Sequence, residues 1–176
     1  MRTMAVHCAA MGEALELDES AMCAWARALG AQLAGGDVLL MRGEMGAGKT
    51  TFARALAEGL GVRRPQRVCS PTYTVCMVHP GPIELVHVDP FRLGEDGPVS
   101  SAAFEALGLE HDELPGPERV LLVEWSELWA EPPSEHLEIT LERVLGHEQS
   151  RRLSAVTRGP RWASLELAAL EAAARS

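Results

Sequence analysis

Eight consecutive residues, Gly43-Glu44-Met45-Gly46-Ala47-Gly48-Lys49-Thr50, match the pattern G-x-x-x-x-G-K-[ST] at every fixed position. The chemistry served by this pattern is phosphate binding. The glycines let successive backbone N–H groups turn inward around phosphate oxygens. The lysine reaches the β- and γ-phosphates, and the threonine hydroxyl ligates Mg²⁺. An apolar stretch, Asp37 to Arg42, precedes the loop and a helical pattern follows it, so the positive end of that helix points at the same anion. Composition singles out the same place. Fifteen of the sixteen basic residues are arginine, and the only lysine is Lys49. Arginine replaces lysine over most of a surface, but not where a compact ammonium must enter a tight cradle.

A phosphate loop needs an acid at the end of another strand to hold its metal. Two are available. Glu124 follows the apolar run Val120-Leu121-Leu122-Val123, and Asp89 ends Leu85-Val86-His87-Val88. Taken singly, each is also an ordinary acid at a strand terminus. His87 and Asp89 are two apart and share a face on a strand. They are either a metal pair or, since magnesium prefers oxygen, an acid beside a packed histidine. Trp125 points away from Glu124 if the strand continues, which leaves it a core residue or a site residue with equal weight. The hydroxyls of Ser70-Pro71-Thr72-Tyr73-Thr74 suit a loop that senses a γ-phosphate, and equally a plain turn. Arg63, Arg64 and Arg67 form a small basic cluster whose default reading is a solvated helix end, with contact to nucleotide or RNA phosphate second.

The elements that must position these residues follow from periodicity and breakers. A helix start at Asp18-Glu19-Ser20 leads an Ala/Leu-rich helix to Leu33, closed by Gly35-Gly36. Asp37–Arg42 is a strand, and Thr50–Leu60 is a helix ended by Gly61. Tyr73–His79 and Ile83–Val88 read as strands around the turn Pro80-Gly81-Pro82. A short helix spans Ser101 to Leu107 inside the loose segment Leu93–Pro117. Val120–Glu124 is a strand, Leu137–Leu145 and Arg151–Val156 form a late hairpin, and Pro160–Arg175 is a helix. Strand, glycine loop and helix in that order predict an α/β fold. It is a P-loop domain in which hairpins make the sheet mixed parallel and antiparallel, flanked by helices.

The 176 residues fit one domain, 1–176, with a core at about 15–141 and a hairpin and helix at 142–176. Net charge is −9, and it is uneven. Residues 1–88 carry 8 basic and 8 acidic side chains, whereas residues 89–176 carry 8 and 17. That balance disfavours long-range attraction to bare nucleic acid. The acidic half is either a solvated surface or a docking face. No apolar run approaches the roughly 20 residues of a membrane span, and the N-terminus lacks the apolar stretch of a secretory signal. The four cysteines have no metal-ligand spacing, which fits reduced thiols in a cytoplasmic protein.

Together, the loop Gly43–Phe52, Ser70-Pro71-Thr72-Tyr73-Thr74, His87-Val88-Asp89-Pro90-Phe91-Arg92-Leu93 and Val123-Glu124-Trp125-Ser126-Glu127 resemble, in order and spacing, the TsaE (YjeE) family of P-loop ATPases. That family serves bacterial tRNA threonylcarbamoyladenosine biosynthesis. The resemblance covers about Leu15 to Leu141. It implies ATP and Mg²⁺ as cofactors and ATP hydrolysis that supports turnover of a TsaB–TsaD protein complex. That complex modifies the adenosine beside the anticodon, so tRNA is met through it. By motif position the nucleotide-binding set is Glu44, Met45, Gly46, Ala47, Gly48, Lys49, Thr50 and Thr51. Thr50 and Glu124 fall on the metal, and Lys49, Asp89 and Glu124 are the catalytic residues. Trp125 matches a further position near the site. Two departures stand out: Met22 replaces a threonine common in the first helix, and Pro90 follows Asp89 in place of a bulky apolar residue.

Small-molecule kinases on the same fold are the alternative, and nucleotide-dependent switches are a third class. A kinase usually carries an arginine-bearing lid, and Leu93–Pro117 contains no arginine. No finger arginine is evident elsewhere in the chain. Arg92, three residues past Asp89, is the nearest candidate.

Overall fold

The computed structural model describes residues 8–10, 14–95, 97–106 and 115–175. Its strands are β1 (Cys8–Ala10), β2 (Leu15–Asp18), β3 (Val38–Arg42), β4 (Cys76–His79), β5 (Glu84–Val88), β6 (Arg119–Val123), β7 (His136–Val144) and β8 (His147–Arg158). They form one sheet in the order β1-β8-β7-β3-β6-β5-β4, with β2 also pairing β8. β3 runs parallel to β6 and β7, and β5 runs parallel to β6; the remaining pairs are antiparallel. The helices are α1 (Glu19–Gly30), α2 (Lys49–Leu60), α3 (Ser101–Glu105) and α4 (Leu167–Ala174). The expected α/β class with a mixed sheet is the one observed.

The pleat divides the core. On β3, Leu39 and Met41 join one apolar cluster with Trp25, Phe52 and Leu56 from α1 and α2, while Val38 and Leu40 face a second cluster around Phe104 and Trp129. The same parity on β5 and β6 puts Leu85, Val120 and Leu122 on the α2 side. His87, Asp89 and Glu124 continue those alternations, so period-2 geometry alone aims all three toward α2.

Two glycines let α1 and α2 cross closely. A Cβ on Gly30 would lie 2.2 Å from the Leu56 carbonyl oxygen, and one on Gly59 would lie 2.0 Å from that of Arg27. This contact fixes α2, and with it the loop at its head, against the sheet.

Several boundaries differ from the sequence reading, each for a local reason. α1 is capped by Asp18, whose carboxylate accepts from the Ala21 amide at 2.8 Å. It ends at Gly30 rather than Leu33, because the chain tightens into bonds from Gln32 to Leu29 and from Leu33 to Gly30. β4 begins at Cys76, not Tyr73, since residues 71–75 form a turn that ends with Val75 at φ 64°. The C-terminal helix is split. A 3₁₀ turn, Pro160–Ser164, is followed by an extended Leu165, and only then by α4. The Gln32 side chain accepts from the Glu166 amide at 2.8 Å across this break. β1 and β2 were not foreseen. They are short strands recruited by the long β8. Leu107, the expected end of the third helix, lies outside the described residues.

Candidate functional site

β3 delivers the chain to the phosphate loop and α2 takes it away. Gly48 precedes α2 with φ 103°, a left-handed conformation that suits glycine, and no side chain caps the helix. The first-turn N–H groups are therefore directed at the space above the loop. That space is a cleft of about 910 Å³, lined among others by Met45, Gly46, Gly48, Lys49, Thr50 and Thr51. Glu44 and Ala47 turn their side chains elsewhere. Glu44 stands 3.3 Å from Arg143, and the Ala47 methyl is in the core. Each therefore presents only its backbone to the loop.

Lys49 is almost fully buried. Its Nζ donates to the carbonyls of Gly43 at 2.6 Å and Glu44 at 3.1 Å, and lies 3.8 Å from the centre of the Trp125 ring. Burial lowers its pKa, opposed by the charges of Glu124, Glu127, Asp89 and Glu44. An anion beside it favours the charged form.

Across the cleft, Glu124 is 2% exposed and follows the last residue of β6. One carboxylate oxygen, Oε1, faces both His87 Nε2 at 2.9 Å and the Thr50 hydroxyl at 3.4 Å. Thr50 and Glu124 thus supply two oxygen donors side by side. Among the described residues no group of three His, Cys, Asp or Glu side chains gathers to enclose a metal. This is the kind of donor set that suits magnesium, which keeps waters and substrate phosphates rather than an all-protein cage.

Asp89 is fully buried and does something different. Its Oδ2 accepts from the Ser70 hydroxyl at 2.7 Å and the Thr72 hydroxyl at 2.6 Å, and its Oδ1 accepts from the Phe91 amide at 3.0 Å. It therefore pins the Ser70–Thr74 turn to the end of β5. Ser70 and Thr72 line the cleft as a result. Their local role as turn residues and their placement at the cleft come from the same carboxylate.

Trp125 does not continue the strand. Its φ of 52° turns the chain and swings the indole over Lys49 and against Phe91, ring centres 4.9 Å apart. Of its two open readings, the cleft is the one observed. His87 is fully buried and touches Glu124, which makes it a packed neighbour of the acid. Met22 is buried in the cleft wall. Arg92 stacks over the exposed Tyr73 ring at 5.0 Å and is not in the cleft lining. Arg63, Arg64 and Arg67 are exposed.

Several lining residues escaped the sequence reading. Asp18, Glu19 and Ser20 enter from the start of α1, and Glu148, Gln149 and Arg151 from β8. Arg151 donates from Nε to the Ala47 carbonyl at 3.0 Å, and Arg143 from Nη2 to the Met45 carbonyl at 2.7 Å. Sequence proximity to Asp89 points to Arg92, whereas the structure brings two arginines to the loop from the far hairpin. A count outward from the turn at Leu145-Gly146 would not find Arg151. Val144 pairs with His147 but Arg143 pairs with Arg151, so residues 148–150 are a bulge in β8.

Comparison with known proteins gives a consistent result. The family model described as threonylcarbamoyl adenosine biosynthesis protein TsaE matches residues 17–153. A Streptomyces coelicolor protein named tRNA threonylcarbamoyladenosine biosynthesis protein TsaE is 38% identical over 151 residues, 82% of this chain and 95% of that protein. One of the same name from Bacillus subtilis is 40% identical over 123 residues, 69% and 71% of the two chains. Among solved structures, Bacillus subtilis YdiB superposes with a TM-score of 0.68 at 29% identity, over 98% of each chain.

Proposed function

The chain belongs to the TsaE family, and from that premise we propose that it is a Mg²⁺-dependent ATPase of tRNA threonylcarbamoyladenosine biosynthesis that binds a TsaB–TsaD-type complex and drives its turnover. The observation that carries the reading is convergence. Lys49 and Thr50 from the head of α2, Glu124 from the end of β6, and the Ser70 and Thr72 hydroxyls held by Asp89 all meet in one cleft. Backbone N–H groups of the loop and of α2 bind the phosphates, and Lys49 neutralises their charge. Thr50 and Glu124 would hold a magnesium ion, which would supply charge neutralisation to the phosphates. Glu124 is kept oriented by His87, and Asp89 sets the loop that faces the γ-phosphate end. The protein meets tRNA through its protein partners, since it carries net charge −9 and the two arginines bonded to the loop are engaged with its backbone carbonyls.

The test is steady-state phosphate release with Mg-ATP and no acceptor, measured for the protein alone, with TsaB–TsaD, and with tRNA only. Slow release alone, faster release with the proteins and no effect of tRNA by itself are expected. Lys49→Ala sets the zero. Phosphate transfer that needs a small-molecule acceptor would make the protein a kinase, and stimulation by tRNA alone would make it an RNA-dependent ATPase.

A further inference from the structure

Met45 and Ala47 are the residues immediately before Gly46 and Gly48 in the phosphate loop. Both glycines sit at positive φ, 78° and 103°, and glycine peptides have the least intrinsic resistance to rotation. In a planar trans peptide the carbonyl of one residue and the N–H of the next point in opposite directions. Whatever holds the Met45 and Ala47 carbonyls therefore also aims the Gly46 and Gly48 amides. In this chain two arginines hold them, Arg143 on the Met45 carbonyl and Arg151 on the Ala47 carbonyl. They face each other across β7 and β8.

The two are unequal. The Arg143 side chain is 56% exposed, and such contacts to a wet surface contribute little. Arg151 is half-buried and better anchored. Its Nη1 donates to the carbonyls of Glu148 at 2.7 Å and Ser150 at 2.8 Å, while its Nε donates to Ala47. The first two carbonyls belong to the β8 bulge, so the bulge is the socket in which the guanidinium is clamped. Met22 closes the other side. A Cβ on Gly48 would meet the Met22 methyl at 3.5 Å and Arg151 Nε at 3.9 Å. The bulge thus has a purpose that β-pairing alone does not supply: it brings a rigid planar donor to the back of the loop.

We infer that Arg151 is a positioning residue for nucleotide binding: clamped in the β8 bulge, it fixes the Ala47–Gly48 peptide so that the Gly48 amide is presented to phosphate before any nucleotide arrives. This rests on the reading of Gly43–Thr50 as a phosphate loop. It goes beyond that reading by placing a determinant of affinity about one hundred residues away, in the late hairpin.

The experiment is titration of the full-length protein with a fluorescent ADP and by competition with ATP, paired with amide hydrogen exchange on the nucleotide-free protein. Arg151→Ala is expected to weaken both nucleotides by the same factor, about tenfold, as for loss of one charge-assisted hydrogen bond. Exchange at the Gly48 amide should rise in the nucleotide-free state. Arg151→Lys should restore little, because one ammonium does not span the Ala47, Glu148 and Ser150 carbonyls with the geometry of a fork. Arg143→Ala should cost less, about threefold. Arg152→Ala, the exposed neighbour on the opposite face of β8, should match wild type. Two results overturn the inference. One is Arg151→Ala within twofold of wild type with unchanged exchange. The other is full recovery in Arg151→Lys, which would reduce the role to charge. Failure of the phosphate-loop reading looks different: wild-type protein without ADP affinity, or Lys49→Ala with full affinity.

Discussion

Glu124 and Asp89 are both strand-end acids, yet their partners differ enough to separate their effects. Glu124 shares one oxygen between His87 and Thr50, whereas Asp89 spends its oxygens on Ser70, Thr72 and the Phe91 amide. Glu124→Gln and Asp89→Asn should each slow ATP hydrolysis by at least about tenfold, roughly 1.4 kcal/mol of barrier, with smaller losses of ATP affinity. The routes differ. Asn at 89 puts an amide nitrogen in reach of hydroxyls that need an acceptor, so exchange or proteolysis at residues 70–74 should increase in that variant alone. Normal hydrolysis in both variants would remove these acids from the catalytic assignment. Lys49, Thr50, Asp89 and Glu124 could all be read from the sequence, because each is tied to a local signal, a glycine loop or the end of an apolar run. Residue pattern alone leaves Trp125 open between core and site, and the family resemblance is what puts it near the site, where the structure has it. Its place depends on one left-handed backbone angle, and nothing in a tryptophan announces that.

At the level of elements, the α1–α2 crossing governs where the phosphate loop sits. Gly59→Ala tests it with opposing expectations. Helix propensity alone favours alanine by about 1 kcal/mol. The added Cβ, however, would lie 2.0 Å from the Arg27 carbonyl oxygen, and backbone cannot rotate out of the way as a side chain can. Overpacking of this kind costs about 1–3 kcal/mol and occasionally more. A net loss of up to about 2 kcal/mol by urea denaturation is expected, and a gain would show that the helices move apart freely. Most helices and strands were legible, since α1, α2, β3 and β6 carry strong periodicity or unbroken apolar runs. The misses have tertiary causes. β1 and β2 exist only because β8 is long enough to pair with both. The false start of β4 at Tyr73 reflects Asp89 pulling Ser70 and Thr72 into a turn.

For the molecule as a whole, two buried histidines set a stability profile. Burial lowers the pKa of His79, helped by His87. Burial also lowers that of His136, helped by Arg158 and Arg42 and opposed by its bond to the Pro133 carbonyl and by Glu138. The folded protein therefore binds fewer protons than the unfolded chain between those lowered values and 6.5. Their contribution is complete above pH 6.5 and is lost as pH falls through that window. Asp37 acts in the opposite sense at more acid pH, because burial raises its pKa above 3.8 despite Arg161. The melting temperature should drop as pH is lowered below 6.5, and the double variant His79→Gln, His136→Gln should show a flatter profile. An unchanged slope in that variant would place the titrating groups elsewhere.

Lys49 resting over the Trp125 ring has an optical consequence. An ammonium 3.8 Å from the centre of an indole perturbs its excited state, and a phosphate drawn into the loop would compete for that ammonium. Trp25, Trp129 and Trp162 are buried at 0%, 4% and 4% exposure, in the apolar clusters rather than at the cleft. Binding of unlabelled ADP should therefore change the intrinsic emission of the wild-type protein, and Trp125→Phe should abolish the change while leaving the other three signals in place. On the proposed ATPase reading, the molecule would carry its own occupancy gauge, readable without a dye.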